Sequence, residues 1–458
     1  MRTPCFLKIN ERKFAMKKFT FPGGIHPAGN KERTEEQPLI TLAPPELLYF
    51  PLGQHIGAPL SPTVQVGDRV LRMQKIADTD KFMSAPLHAS VSGRVKDIGL
   101  YLNHSNSKVP TIVIENDGLD ETAEPLTQKN PDDLTPEEML HIIREAGIVG
   151  MGGAAFPTHV KLSPPKDKPI SHLIINAAEC EPYLTADRRV MLEMSDEVLG
   201  GASYLMRMLG LKTCYIGIED NAKEAIDVMR EKAKAASGVC VVELKKKYPQ
   251  GSEKQMIFAI TGKEVPQGAL PMDVGCIVIN IGTVAEVYRA IHDGTVLHQR
   301  VVTVSGDAVQ NPSNFYTRIG TPFRQLTDAA GGFVKEPEKI IMGGPMMGIA
   351  GVSLDIPVVK GTSGILVFSD KYAHTAKEQA CIRCGRCVAA CPMGLMPTIL
   401  DLYSRRNDLD TLIQHNIASC IECGSCTYGC PSKRYLVQSI RMGKQRIATR
   451  KKKEESKA

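Results

Sequence analysis

Two cysteine runs constrain this chain more than any other feature. Cys381-Ile-Arg-Cys384-Gly-Arg-Cys387-Val-Ala-Ala-Cys391-Pro392 and Cys420-Ile-Glu-Cys423-Gly-Ser-Cys426-Thr-Tyr-Gly-Cys430-Pro431 share the spacing C-x2-C-x2-C-x3-C-P. In this pattern three thiolates from one tight loop reach three corners of an iron–sulfur cube, and the fourth cysteine crosses to the neighbouring cluster. On that crossing Cys381, Cys384, Cys387 and Cys430 hold one [4Fe–4S] cluster, and Cys391, Cys420, Cys423 and Cys426 hold the other. Gly385 and Gly424 let the backbone wrap closely and aim N–H groups at sulfur, and Pro392 and Pro431 turn the chain away. Structural zinc takes two close cysteine pairs rather than triplets with a trailing Cys-Pro, and disulfides belong to oxidising compartments, so the spacing argues against both. Two adjacent cubanes pass single electrons, so the rest of the chain must supply or accept them.

The other five cysteines (Cys5, Cys180, Cys214, Cys240 and Cys276) are scattered and read as buried thiols. A length of 458 residues allows about three domains or more. Net charge is +6, part of it in Arg450-Lys-Lys-Lys453, and residues 446–458 read as a solvated, disordered basic tail. No run approaches the roughly 18 to 20 apolar residues that span a bilayer. The first residues contain no apolar signal-peptide core, and Met16 is a second candidate start with 1–16 as an extension. These features predict a cytoplasmic protein that meets a membrane only through partners. No nucleic-acid motif or basic–aromatic stripe is present, so no nucleic acid is expected as a partner.

Residues 17–119 are rich in Pro and Gly. Val64-Gln-Val66-Gly67-Asp68-Arg-Val70 and Ala85-Pro86-Leu-His88-Ala-Ser90-Val91-Ser92-Gly93-Arg-Val95 predict two strand–turn units. They resemble the barrel-sandwich of lipoyl and biotinyl carriers; Lys81, near the place of the carrier lysine, reads as a plain surface lysine. After a polar linker, Thr135, Pro136 and Glu138 form a capping box that opens a helix, and Gly147 ends it. The stretch 134–295 then alternates strands and helices, which predicts α/β structure around a mainly parallel sheet. Gly150-Met-Gly152-Gly153 allows close approach of backbone to a planar or phosphorylated ligand. The strand His172–Asn176 ends in Glu179, Cys180, Glu181 and Tyr183, with Asp187 and Arg188 following, the composition of an α/β ligand crevice. Residues 296–368 predict a small β-grasp unit and a tight Gly343–Gly348 loop, and 369–445 a two-cluster domain.

Three segments resemble the NADH-oxidising, FMN-binding subunit of respiratory complex I: Gly150-Met-Gly-Gly-Ala-Ala-Phe156-Pro-Thr158 with Lys161, Asn176-Ala-Ala-Glu179-Cys-Glu181-Pro, and Asn280-Ile-Gly-Thr283. The order of modules, with Phe21-Pro-Gly-Gly-Ile-His26-Pro27 and Gln54-His55-Ile-Gly-Ala58-Pro59, resembles the C-subunit family of Rnf complexes over nearly all of 17–445. The resemblance implies a barrel-sandwich, an α/β flavin fold, an SLBB-like β-grasp unit and a ferredoxin-like domain with two clusters. It implies a peripheral subunit on the cytoplasmic side of the inner membrane, working with the other Rnf subunits, and indirectly ferredoxin, in a translocase that moves Na+ or H+. FMN would lie against Gly150, Gly152, Gly153, Phe156, Thr158, Lys161, Asn176, Asn280 and Thr283. NAD(H) would be oriented by Glu179 and Glu181, the candidate catalytic residues, with Tyr183 and Glu253. Val149 and Met151 stand where the complex I family tends to carry arginines, Ala155 and His159 replace glycines, and Ile281 replaces an asparagine. The alternatives are a corrin reductase of related modular type, which places its barrel-sandwich later in the chain, and an iron–sulfur wiring subunit without flavin.

Overall fold

A computed structural model describes residues 19–455. The expected N-terminal extension and Cys5 lie outside the described residues.

The barrel-sandwich is built from two small antiparallel sheets. One runs Leu47–Pro51, Lys108–Asn116, Gly93–Leu102, Arg69–Val70; the other joins Ser61–Pro62, Lys75–Asp78 and Leu87–His88. Alternation places Leu48, Phe50, Ile112 and Ile114 inside with Ile76, Leu87 and Val95, which is the period-2 burial of a two-layer β core. Lys81 is exposed on the loop between the Lys75–Asp78 and Leu87–His88 strands.

Residues 19–41 do not join this barrel. Phe19 bridges to Leu244 and Ile25 to Tyr248, so residues 19–31 form a strap along the central domain. Leu39–Thr41 adds a parallel edge strand to the β-grasp sheet through Leu39, Ile40 and Thr41 opposite Asn314, Phe315 and Tyr316.

The central domain opens with α1 (Pro136–Glu145). Thr135 Oγ1 accepts from Glu138 N at 3.2 Å while Glu138 Oε2 accepts from Thr135 N at 2.9 Å, the reciprocal capping box that the sequence predicts. Strands β1 (His172–Ala177), β2 (Cys214–Glu219), β3 (Val239–Leu244) and β4 (Cys276–Asn280) form one all-parallel sheet in the order β3-β2-β1-β4. Both faces are covered. Leu173, Ile175, Ile277 and Ile279 pack under α1, α2 (Ala186–Glu193), α3 (Ser195–Leu209) and α5 (Ile281–His292), whereas Ile174 and Val278 face α4 (Glu253–Thr261). That two-sided burial explains why these strands read as continuous apolar runs.

The β-grasp sheet is centred on β5 (Gln299–Ser305), β6 (Ser313–Arg318) and β7 (Gly364–Phe368), with the helix Phe323–Ala329 packed on Val302, Val304 and Phe315. In the C-terminal domain, α6 (Pro397–Arg406) and α7 (Leu436–Glu455) follow the first and second cysteine runs and enclose Leu400, Leu412, Ile417 and Ile440. The disordered tail expected from 446 is corrected as far as Glu455. The helix continues because its first turns are anchored by buried Leu436, Val437 and Ile440, and Arg450 pairs with Asp410 at 2.9 Å. Among the described residues no helix is long and apolar enough to cross a membrane.

Candidate functional site

The order β3-β2-β1-β4 places a topological switch point between β1 and β4, because the chain leaves β1 in one direction to β2 and β3 and returns on its other side as β4. Ligands of open parallel sheets settle outside the carboxyl ends of the strands at such a point. Asn176 and Asn280, the terminal polar residues of the two strands, stand there in matched register. Asn280 is the N-cap of α5: its Oδ1 accepts from Gly282 N at 3.0 Å and its Nδ2 donates to Asp187 Oδ2 at 2.8 Å. Asn176 Nδ2 donates to Gly251 O at 2.7 Å, drawing in the turn that starts α4.

The glycine-rich loop lies over this point. A Cβ on Gly152 would lie 3.4 Å from Asn280 Cβ, and Gly153 has φ +117°, so side chains here would fill or strain the cradle. Gly152 and Gly153 are exposed, while Met151 beside them is buried. Thr283 pins it: Met151 N donates to Thr283 Oγ1 at 2.9 Å. Phe156 is half-buried and its carbonyl accepts from Gly150 N at 2.8 Å, closing the loop on itself. Thr158 begins a one-turn helix that ends at Lys161, whose Nζ pairs with Glu253 Oε1 at 2.7 Å and donates to Val278 O at 3.0 Å. Gly150–Gly153, Phe156, Thr158, Lys161, Asn176, Glu253, Asn280 and Thr283 thus lie on segments that meet around one crevice. Its exposed glycine backbone, a helix N-terminus and a lysine fit a phosphorylated planar cofactor.

The remaining three residues diverge. Glu179 sits at the edge, its Oε1 accepting from Asp187 N at 2.8 Å and its carbonyl from Lys31 of the strap at 2.5 Å. Glu181 turns toward the Gly343–Gly348 loop of the β-grasp unit, where its carboxylate accepts from Met346 N and Met347 N, both at 3.0 Å. Burial pushes its pKa up to about 7 against those two donors. Tyr183 has φ +68° and packs edge-on against Phe368 of the β-grasp sheet, 5.2 Å between centroids.

Cys381, Cys384, Cys387 and Cys430 line one hollow, and Cys391, Cys420, Cys423 and Cys426 line another. Four thiols ring each hollow, a donor set that suits a cube of iron and sulfur. N–H groups of Arg383, Glu422 and Leu395 point at the sulfurs of Cys381, Cys420 and Cys391, each at 3.4 Å. The glycines act one step back: Gly385 and Gly424 adopt φ +74° and +76°, and Arg383 and Glu422 φ +56° and +58°, so both loops wrap identically. The two sites differ in depth. Cys423 and Cys426 are buried, whereas Cys381 and Cys384 are exposed. The deeper site also abuts the flavin domain: Tyr248 Oη donates to Cys423 O at 2.7 Å, and Gln255 Nε2 to Pro392 O at 3.3 Å.

Sequence reading missed Tyr248, Arg300 and Lys360. Tyr248 follows three lysines, Lys245 to Lys247, and has no motif of its own. Arg300 stands just before Val301-Val302 and Lys360 just after Val358-Val359, and a charge at the end of an apolar run is the one signal that could have marked them as buried and partnered.

A switch-point crevice joined to two four-cysteine sites defines an electron-transfer flavoprotein with iron–sulfur wiring. Residues 143–289 match the family described as the Nuo51 FMN-binding domain, 19–119 the RnfC barrel sandwich hybrid domain, 301–350 the SLBB domain and 377–435 the 4Fe-4S dicluster domain. The chain is 51% identical over 425 residues to the C subunit of the proton-translocating ferredoxin:NAD(+) oxidoreductase complex of Clostridium ljungdahlii, covering 92% of this chain and 93% of that protein. It is 46% identical to the C subunit of the Na(+)-translocating ferredoxin:NAD(+) oxidoreductase complex of Acetobacterium woodii, over 95% and 98% of the two proteins. Against the C subunit of the ion-translocating oxidoreductase complex of Rhodobacter capsulatus it is 42% identical over 95% and 84%. The chain belongs to the C-subunit family of ion-translocating Rnf oxidoreductase complexes, and its cofactors are FMN and two [4Fe–4S] clusters.

Proposed function

We propose that this chain is the peripheral subunit, on the cytoplasmic side, at which NAD(H) meets FMN in a membrane ferredoxin:NAD+ oxidoreductase. In this reading electrons enter or leave through the deeper cluster site first and the exposed one last. The observation that carries it is the placement of Tyr248: one residue of the flavin domain closes on the wall of the deeper cysteine site, while the shallower site opens outward. FMN supplies the exchange between a two-electron hydride and single electrons, and the clusters supply one-electron passage.

The chain's own residues supply position and charge. Exposed backbone at Gly152 and Gly153 accepts the flavin, with Asn176 and Asn280 fixing the strand ends beneath it. Lys161, held between Glu253 and Val278 O, keeps a cation at the crevice. Glu179 and Glu253 orient the nicotinamide nucleotide. Glu181, which the sequence suggests for the same task, is better supported as the clasp of the 343–348 loop against the iron–sulfur domain.

The test is anaerobic loading with iron, sulfide and FMN, removal of excess, and titration with NADH while the visible spectrum is followed. Bleaching of the flavin followed by loss of cluster absorption is expected. Clusters without retained flavin, or flavin that only dithionite reduces, would favour a wiring subunit instead. Lys161→Ala should weaken FMN retention without changing iron content.

A further inference from the structure

The glycine-rich loop carries no basic residue between Gly147 and Pro157, and four glycines in seven positions give it no stiffness of its own. Its rigidity comes from another domain. Arg300, on β5 of the β-grasp sheet, is 3% exposed and donates Nη2 to Met151 O at 3.3 Å. With Thr283 Oγ1 on Met151 N, both peptide groups of this buried loop residue are held from behind. Arg300 Nη1 donates to Lys360 O, and Nε to Val301 O at 3.2 Å. Lys360, fully buried, sends Nζ to Gly147 O at 2.7 Å, where the loop begins, and to Pro86 O of the barrel-sandwich at 2.6 Å. Next to it, Gly361 lies so close that a Cβ would stand 3.1 Å from Gly153 O, where the glycine run ends. The start, middle and end of the loop are therefore each met by Arg300 or by residues 360–361.

We propose that Arg300 and Lys360 form a basic brace, contributed by the β-grasp unit, that positions the glycine-rich loop for FMN. They are positioning residues: they reach the cofactor only through the loop. The alternative is a merely structural role, in which a buried arginine satisfies three carbonyls and glues two domains. The geometry favours the brace because Lys360, Arg300 and Gly361 meet the loop at Gly147, Met151 and Gly153, along the stretch that presents backbone to the ligand. The guanidinium also lines a hollow with Asp187, Asn280 and Glu286 beneath the N-terminus of α5. Its hydrogen bonds go to carbonyls, and Asp187 and Glu286 in the same hollow offset its charge, so what it gives the loop is a fixed donor rather than a free cation. The proposal rests on reading the switch-point crevice as the flavin site.

The test uses the full chain with its clusters reconstituted. FMN is titrated by quenching of its fluorescence into wild type, Arg300→Met, Arg300→Lys and Gly361→Ala, with iron content and melting temperature measured alongside. Arg300→Met should weaken FMN binding about ten- to a hundredfold, the worth of a buried hydrogen bond to a charged group, with iron content unchanged. Arg300→Lys should recover part of that loss, because it restores a charged donor for the Met151 carbonyl. Gly361→Ala, which keeps every charge but crowds Gly153 O, should weaken binding about threefold or more. FMN binding by Arg300→Met within about twofold of wild type, even with a lowered melting temperature, overturns the brace and leaves the structural role. Should Arg300→Met fail to fold, Gly361→Ala decides: unchanged FMN affinity overturns the proposal. Failure of wild type itself to bind FMN overturns the flavin reading and the brace with it, so the two failures are distinguishable.

Discussion

Tyr248 reaches from the flavin domain to the iron–sulfur domain, its phenol donating to the carbonyl of Cys423 across 2.7 Å. Its backbone is held at the same time by the strap, Ile25 N donating to Tyr248 O and Tyr248 N to Ile25 O, both at 2.9 Å. The strap in turn sends Gly24 N to Ala390 O at 3.0 Å. One residue and one strap thus tie the turn before α4 to both cysteine loops that build the deeper site. Tyr248→Phe leaves the Cys423 carbonyl without its donor in a buried place, at a cost of about 1 to 3 kcal/mol. Hydrogen exchange over residues 420–426 should rise while β1 keeps its protection, and after NADH addition cluster reduction should lag flavin reduction more than in wild type. Unchanged exchange in 420–426 would remove Tyr248 from this role.

Gly23 makes the second tie testable. It has φ +72°, and a Cβ there would stand 2.6 Å from Cys391 O, a backbone atom that cannot swing away. Gly23→Ala therefore combines a left-handed penalty with a clash, together about 2 kcal/mol or more. Gly118 has a similar φ of +74° but nothing within 4 Å, so Gly118→Ala isolates the backbone term. Gly23→Ala should release iron from the deeper site faster on exposure to a chelator than Gly118→Ala does. Equal release rates would show that the strap does not secure Cys391.

The crossed ligand sets predict separable lesions. Cys430→Ser should damage the exposed site of Cys381, Cys384 and Cys387, and Cys391→Ser the deeper one, although each residue lies in the other run. Iron should fall from about eight to about four atoms per chain in either variant. Because Cys381 and Cys384 are exposed, the cluster that survives in Cys391→Ser should be the more quickly lost in air. Loss of the run-local cluster instead, Cys391→Ser spoiling the Cys381 site, would exclude the crossing.

What the sequence made legible was short-range. Cysteine spacing is a local constraint, and the four thiols of each expected quartet surround one hollow. Strands 214–219 and 239–244 fall where apolar runs bounded by polar residues put them, and Thr135 with Glu138 marks the start of α1. What escaped was contact between distant segments. Leu39–Thr41 pairs in parallel with β6, some 270 positions away, and nothing in its three residues names that partner. Nothing beside Arg300 or Lys360 in the chain names Met151 O, Gly147 O and Pro86 O, the carbonyls they serve in other domains. Glu181 and Tyr183 lie within a few residues of Asn176, yet the turn after β1 sends them to the 343–348 loop and to Phe368. The basic tail read as disordered because charge composition carries no trace of the buried turns that start α7.

Glu219, at the carboxyl end of β2, offers a pH test. It is 4% exposed, and burial pushes its pKa up to about 7, Lys31 opposing and Lys247 N donating to its Oε1 at 3.3 Å. An unfolded glutamate titrates near 4.5. Between those values the folded chain holds the proton that the unfolded chain has released, so ionisation favours unfolding and this group's contribution to stability falls as pH rises. The decline begins near the unfolded pKa and levels off above about 7, for a total on the order of 3 kcal/mol. Buried histidines such as His298, whose pKa burial lowers to about 3, act in the opposite direction over the acid part of this range. The whole-protein profile therefore mixes both, and the difference between wild type and Glu219→Gln isolates the carboxyl. Measured by chemical denaturation, the variant should gain steadily on wild type from pH 4.5 to pH 7 and hold a constant lead above it. A pH-independent difference would mean that Glu219 ionises normally in the folded chain and that the pocket it shares with Lys31 and Lys246 is wet enough to solvate it.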